Sequence, residues 1–288
     1  MKKFMGTGTA LVTPFTEEKK VDYKGLEKLV RFNIDNGVDY LVVQGTTGES
    51  VTLSKEERIA TSEFIVDLVK GKVPLVLGIG GNNTEKLLEE LHWFDLSHVD
   101  AILSASPAYN KPSQEGIIAH YEVFAKEAPK PLILYNVPGR TGSNMQASTT
   151  LHLAKHDNII AIKEASGNLD QVGQIIKQKP DDFLVISGDD ALALPIIALG
   201  GAGVISVISN AFPGKFSTMV NLALENNYEE AREIHYELID IVYALFAENN
   251  PAGIKAALEI KNVCGKDVRL PLVNLSQKVY QNLQDLMN

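Results

Sequence analysis

Short β-rich runs alternate with longer helical patterns at a nearly fixed pitch along most of this chain, and that alternation limits its fold more than any other feature. Eight runs stand out: Gly8 to Val12, Tyr40 to Gln44, Pro74 to Gly78, Ala101 to Ser104, Leu132 to Tyr135, Ile159 to Lys163, Phe183 to Ser187 and Gly203 to Val207. Between them apolar residues recur at three- and four-residue spacing, as in Leu26, Leu29, Val30 and Phe32 to Ile34, or Leu169, Val172, Ile175 and Ile176. That period belongs to amphipathic helices with one buried face. Repeated βα units imply a parallel sheet, and eight of them in about 225 residues predict a (β/α)8 TIM barrel. A doubly wound open sheet is the alternative. Against it, no Gly-x-Gly-x-x-Gly follows the first run, and no acidic residue stands at the later position that a dinucleotide ribose would need.

Beyond about residue 225 the strand signals stop. Asn226-Asn227 and Asn249-Asn250-Pro251 read as breaks, because asparagine favours turns and proline favours a helix start. Three helices are expected, over Tyr228 to Glu248, Ala252 to Val263 and Val273 to Met287. The domain reading is therefore a barrel over residues 1–225 that carries the site, with a C-terminal helical extension over 226–288.

Composition narrows the class. The chain has 288 residues, 45% hydrophobic and 22% charged, enough for one large core, and no apolar run long enough to span a bilayer. Its opening residues carry no signal-peptide pattern, so a soluble, cytoplasmic protein is expected. The single cysteine, Cys264, suits a reducing compartment and is read as a small buried hydrophobe on a C-terminal helix. A net charge of −9 disfavours nucleic acid as a partner, since phosphate contacts want a basic face. Small-molecule chemistry is the better expectation.

In such a barrel the reactive groups stand at the C-terminal strand ends and in the loops that follow. The sixth run is apolar, β-branched and ends on Lys163, with turn residues behind it. An ammonium at the dry end of a buried strand loses hydration, which favours the neutral amine that imine chemistry requires. A lone lysine in such a place more often snorkels to water. Lys163 is not alone, because the preceding strand ends in Tyr135-Asn136-Val137-Pro138-Gly139-Arg140-Thr141-Gly142, and a phenol, a guanidinium and an amine thus leave consecutive strand ends. The second strand runs into Gly45-Thr46-Thr47-Gly48-Glu49-Ser50, where hydroxyls and amides can hold a small anion or merely cap a helix. The fourth strand leads to Tyr109 on a proline-bounded loop. Asp189 and Asp190 after the seventh are expected to cap the next helix. His152 and His156 have metal-like spacing, but Leu153 stands where a metalloprotease carries its glutamate. No metal is assigned, and no Ser/His/Asp set stands at the strand ends.

Gly45-Thr-Thr-Gly-Glu-Ser, Tyr135-Asn-Val-Pro-Gly-Arg-Thr-Gly and Ile162-Lys-Glu-Ala-Ser-Gly-Asn-Leu, with Ser187-Gly-Asp-Asp and Gly203-Val-Ile-Ser-Val, resemble the dihydrodipicolinate synthase and N-acetylneuraminate lyase superfamily of pyruvate-dependent class I aldolases. The likeness covers nearly the whole chain in order. It implies that Lys163 forms a Schiff base with pyruvate and that Tyr135 is the general acid/base. It also implies that Thr46 and Tyr109 extend a hydroxyl relay from Tyr135. Thr47 and the Ile205 backbone would hold pyruvate, and Gly188 would help line the pocket. Arg140, five residues after the tyrosine, is similar to the synthase branch and would receive the carboxylate of L-aspartate 4-semialdehyde. The lyases of sialic acid usually lack it. No cofactor is implied. The counterpart of Tyr109 reaches into a neighbouring subunit, so the resemblance implies a homotetramer built as a dimer of dimers. Many relatives are inhibited by lysine between subunits. Ser50 and Asn82 match that pocket, whereas Lys55, Arg58, Lys86 and Ala108 depart from it, and the added positive charge predicts weak inhibition or none.

Overall fold

A computed structural model describes residues 2–288; Met1 lies outside them. Eight strands, β1 (Gly6–Ala10), β2 (Tyr40–Val43), β3 (Leu75–Gly78), β4 (Ala101–Ala105), β5 (Leu132–Asn136), β6 (Ile159–Glu164), β7 (Leu184–Ser187) and β8 (Gly203–Ser206), form one closed barrel in sequence order. Every neighbouring pair is parallel, including the β1–β8 closure. The helices around it are α1 (Tyr23–Asp35), α2 (Lys55–Val69), α3 (Thr84–Leu91), α4 (Gln114–Glu127), the single turn α5 (Pro138–Thr141), α6 (Ala147–Leu153), α7 (Leu169–Gln178), α8 (Ala193–Ala198) and α9 (Pro213–Leu224). Then come α10 (Tyr228–Phe246), α11 (Ala252–Ile260) and α12 (Gln277–Met287). The predicted TIM barrel is therefore the fold, with helices at its C-terminus as expected.

Local signals explain the element starts. Asp22, Asn83, Ser113 and Asn168 accept backbone N–H bonds at the first turns of α1, α3, α4 and α7. Ser54 and Glu57 form a reciprocal capping box on α2. Outward strand residues such as Leu41, Leu77, Leu134 and Ile162 join the helices in one apolar layer. Inward residues such as Val42, Val76, Ile133 and Ile186 form a smaller core inside the barrel with Phe4 at one end. The strand positions match the sequence reading to within a residue or so, except β1, which begins two residues earlier than predicted. Its Gly-Thr-Gly-Thr start has little strand propensity. Close approach decides instead: Gly6 faces Gly203 across the barrel seam, and a Cβ on Gly203 would stand 2.0 Å from the Gly6 carbonyl oxygen.

The C-terminal helices are not merely appended. Lys255 on α11 is fully buried and pairs with Glu49, on the loop after β2, at 2.5 Å. Its ammonium also donates to the Asp267 carbonyl at 2.8 Å and stands 4.0 Å over the Phe15 ring. Burial lowers the Lys255 pKa from the usual lysine range, and the Glu49 carboxylate opposes that shift. Arg269, farther along, grips Glu57 of the capping box with two bonds of 2.6 Å. Breaking a buried pair from one side strands the other charge, so Lys255→Met is expected to destabilise the fold by about 3–5 kcal/mol. A urea midpoint that matches the wild type would show that Glu49 finds another partner.

Candidate active site

The apolar sequence of β6 buries both of its faces, and its last inward position is Lys163, which is 6% exposed. Tyr135, on the neighbouring β5, is its register partner, and Lys163 Nζ stands 4.2 Å from the centre of that ring. The stem of the lysine runs against Gly188 at the end of β7. A Cβ at that glycine would come within 3.0 Å of Lys163 Cε and 2.7 Å of Ala165 Cβ, so a larger residue would displace the amine. The Lys163 and Tyr135 side chains both line a cavity of about 230 Å³ at the C-terminal mouth of the barrel, and Gly45, Thr46, Thr47, Arg58 and Ala105 are part of its wall. Sites for drug-sized ligands span roughly 300–1,000 Å³, so this cavity suits a small metabolite.

Thr46 and Thr47 do not cap a helix, because the cap of α2 is Ser54, well past them. Thr46 is exposed at the cavity mouth and Thr47 is 4% exposed in its wall. Ile205, Arg140 and Tyr109 are not among the residues that line this cavity. Ile205 is buried inside the barrel on β8, opposite Gly8 in register. Arg140 is exposed on α5, just beyond the β5 end that carries Tyr135. Tyr109 is 90% exposed and holds a φ of 74°, which a bulky side chain adopts only when its surroundings require it. It is directed outward and does not line the cavity of its own chain.

Several groups escaped the sequence reading. Glu164 beside Lys163 is 1% exposed and faces the other way, accepting bonds from Asn136, Gln171 and the Ser166 amide. Glu49 and Lys255 form the buried pair described above, and Asn250 donates to Thr47. The signal for Lys255 was present: a lone lysine inside an apolar helix is as conspicuous as one at the end of an apolar strand. Arg58 bonds Glu90 and the Gly78 carbonyl, so it is not the free positive charge that the argument against lysine inhibition assumed. Asp189 does cap the start of the next segment, through Ala191 and Leu192. Asp190 does not. Its carboxylate crosses to the end of β8 and accepts the Val207 and Ile208 amides at 3.0 and 2.9 Å. Cys264 lies in the turn beyond α11, half-buried, with burial pushing its thiol up to about 12. His152 meets Glu122, and His156 accepts from the Asn158 amide, so that pair does not converge.

A parallel eight-stranded barrel that brings a buried amine and a phenol together at adjacent strand ends has the arrangement that imine chemistry requires. The profile of the dihydrodipicolinate synthetase family matches residues 3–288, and the chain belongs to that family. It is 50% identical over 283 residues to a 4-hydroxy-tetrahydrodipicolinate synthase of Parabacteroides distasonis, covering 98% of this chain and 95% of the relative. A Cytophaga hutchinsonii protein of the same name is 47% identical over 284 residues, covering 99% and 96%. Among solved structures, the dihydrodipicolinate synthase of Aquifex aeolicus superimposes with a TM-score of 0.95 at 40% identity, covering 99% of this chain and 97% of that one. That of Thermotoga maritima gives 0.96 at 37%, covering 99% and 98%. Another neighbour, with a TM-score of 0.96 at 37% identity, covers 99% and 96% and is described as a monomeric dihydrodipicolinate synthase variant.

Asp190 supplies a pH test of the β8 tether. Burial raises its carboxyl to about 6, against 3.8 ordinarily. Between those values the unfolded chain has lost the proton and the folded one keeps it, so this group's contribution to stability falls as pH rises from about 4 to 6. Asp190→Asn is expected to remove that component, on the order of 1–3 kcal/mol, and a variant whose stability follows the same pH curve as the wild type would contradict the assignment.

Proposed function

We propose that this chain, like the relatives named 4-hydroxy-tetrahydrodipicolinate synthase, is a lyase, and that it forms a Schiff base with pyruvate and condenses it with L-aspartate 4-semialdehyde on the diaminopimelate route to lysine. The observation that carries the reading is the buried Lys163 amine, 4.2 Å from the Tyr135 ring centre at the mouth of the barrel. The amine of Lys163 adds to the keto carbon of pyruvate and water leaves, giving an iminium. That cation acidifies the adjacent methyl group, and loss of a proton yields an enamine. The enamine carbon attacks the aldehyde, whose oxygen takes a proton as the new bond forms. The amino group of the adduct then displaces Lys163, closing the ring and freeing the enzyme.

In this reading Tyr135 passes protons as general acid/base, and Thr46 with Tyr109 extends the relay outward. Thr47 and the Ile205 backbone hold the pyruvate carboxylate and keto group, while Gly188 leaves room for the lysine stem. Arg140 receives the semialdehyde carboxylate, which its planar fork fits with two parallel bonds. We read the assembly as a homotetramer, a dimer of dimers, in which the exposed Tyr109 ring is free to complete a neighbour's relay. We place the reaction in the cytoplasm, where a lone Cys264 suits a reducing environment. No cofactor enters the scheme, since the lysine itself supplies the electron sink.

Borohydride added with pyruvate is expected to label Lys163 alone, as read by peptide mass spectrometry, and labelling that persists in Lys163→Ala would defeat the mechanism. Arg140→Ala is expected to leave imine trapping with pyruvate nearly unchanged. Its kcat/KM for aspartate semialdehyde should fall by about 10- to 150-fold, the equivalent of the 1.5–3 kcal/mol of a hydrogen bond to a charged group. Faster turnover of sugar-derived aldehydes by the wild type would assign the second substrate to another aldolase.

A further inference from the structure

The wall of the cavity at Thr47 is held from outside the barrel. Asn250, at the join of α10 and α11, is 5% exposed, and its Nδ2 donates to Thr47 Oγ1 at 3.0 Å. Among the described residues this is the only polar partner of that hydroxyl. The surrounding loop is over-determined. Thr13, after β1, donates to the Gly48 carbonyl at 2.7 Å. Glu49 follows in a left-handed conformation, φ 50°, which a residue with a side chain adopts only at a cost. The ion pair from Lys255 and the Arg269 amide, 3.0 Å from the other Glu49 oxygen, hold it there. Two tethers, from Asn250 to Thr47 and from Lys255 to Glu49, therefore lock the same two segments together.

A threonine hydroxyl has one proton to donate and two lone pairs. Resting on the reading of Thr47 as a contact for the pyruvate carboxylate, we propose that Asn250 is a positioning residue for substrate binding. Its amide N–H occupies one lone pair of Thr47 Oγ1 and so directs the hydroxyl proton toward the cavity, where an anion can accept it. The C-terminal helices thereby take part in recognition of the first substrate, through a side chain that never touches it. The geometry favours this over a plain cross-link, because Lys255 and Thr13 already fix the loop backbone, and Asn250 is spent on the one functional oxygen.

The test is imine formation measured by borohydride trapping against pyruvate concentration, without the second substrate, with a thermal midpoint for each protein. The variants are Thr47→Val, Asn250→Ala, Asn250→Asp and the double variant Thr47→Val with Asn250→Ala. Half-saturating pyruvate is expected to rise about 10-fold or more in Thr47→Val and about 3- to 10-fold in Asn250→Ala, as for a charged and a neutral hydrogen bond respectively. Residues that act through one another are not additive, so the double variant should match Thr47→Val to within about twofold. Asn250→Asp is nearly isosteric and carries the test if the truncation fails to fold. Its carboxylate would draw the Thr47 proton away from the cavity, and binding should weaken at least as much as in Asn250→Ala. At saturating pyruvate the KM for the aldehyde should not move.

Wild-type saturation in Asn250→Asp would mean that the amide oxygen faces Thr47, and the inference would fall. A double variant whose defect is the product of the two single ones would reduce Asn250 to scaffold and overturn it equally. Unchanged saturation in Thr47→Val, with Lys163 still labelled, would sink the inference and leave the imine chemistry standing. A wild type that traps no pyruvate would remove both.

Discussion

The parity of β6 is the constraint on which the site depends. Strand side chains alternate in direction, so Lys163 can face the barrel mouth only while Glu164 faces the helices. A slip of one residue would put a carboxylate in the cavity and an ammonium among Leu134 and its apolar neighbours. Two features fix the phase. Between β5 and β6 the register shifts, Leu132 pairing with Ile159 but Ile133 with Ala161, so that one extra residue re-aims the strand and Ala161 and Lys163 point inward. On the outer face, Glu164 is held at 3.1 Å by Asn136 and 3.0 Å by Gln171, with the Ser166 amide at 2.7 Å. Asn136 directly follows Tyr135. The network that locks Glu164 outward thus locks the phenol and the amine onto adjacent inward positions.

A second constraint acts on the opposite wall. The loop from Gly45 to Ser50 cannot hold its shape by local preference, because Glu49 is left-handed and buried. Its conformation is supported by residues more than two hundred positions away, Asn250, Lys255 and Arg269. A barrel cut before α10 would keep all eight strands and lose this grip. The boundary drawn at residue 225 is therefore one of sequence character, while the hydrogen bonds of the site cross it.

How much was legible follows from what each feature depends on. Barrel strands and helices are written in short-range periodicity, and Lys163 and Tyr135 announce themselves because charged and phenolic groups are conspicuous at the ends of apolar runs. Phase is harder. The start of β1 was misplaced because the Gly6–Gly203 contact, invisible locally, outweighs the pull of Leu11 and Val12 toward the strand. Asp190 looked like a cap because it sits where caps sit, yet its acceptors serve amides on another strand. Asn250 reads as a turn residue, and nothing near it in sequence mentions Thr47. Long-range polar pairing has no period, so neither the tether from Asn250 to Thr47 nor the Glu164 network could be read in advance.

Charge placement joins these observations to the chemistry. The chain is acidic overall, and both proposed substrates are carboxylates, which an acidic surface would tend to repel. Four carboxyls at this end of the barrel are turned to internal partners: Glu49 to Lys255, Glu90 to Arg58, Glu164 to amides, Asp190 to the end of β8. None of the four lines the cavity, whereas Lys163 does. In a site of low dielectric such arrangement matters more than net charge, because an interaction at 4 Å that is worth about 1 kcal/mol in water grows to about 4 kcal/mol at an effective dielectric of 20. These paired acids thus do two things at once. They hold the loops that shape the cavity, and in doing so they keep negative charge from the place proposed for the anionic substrates.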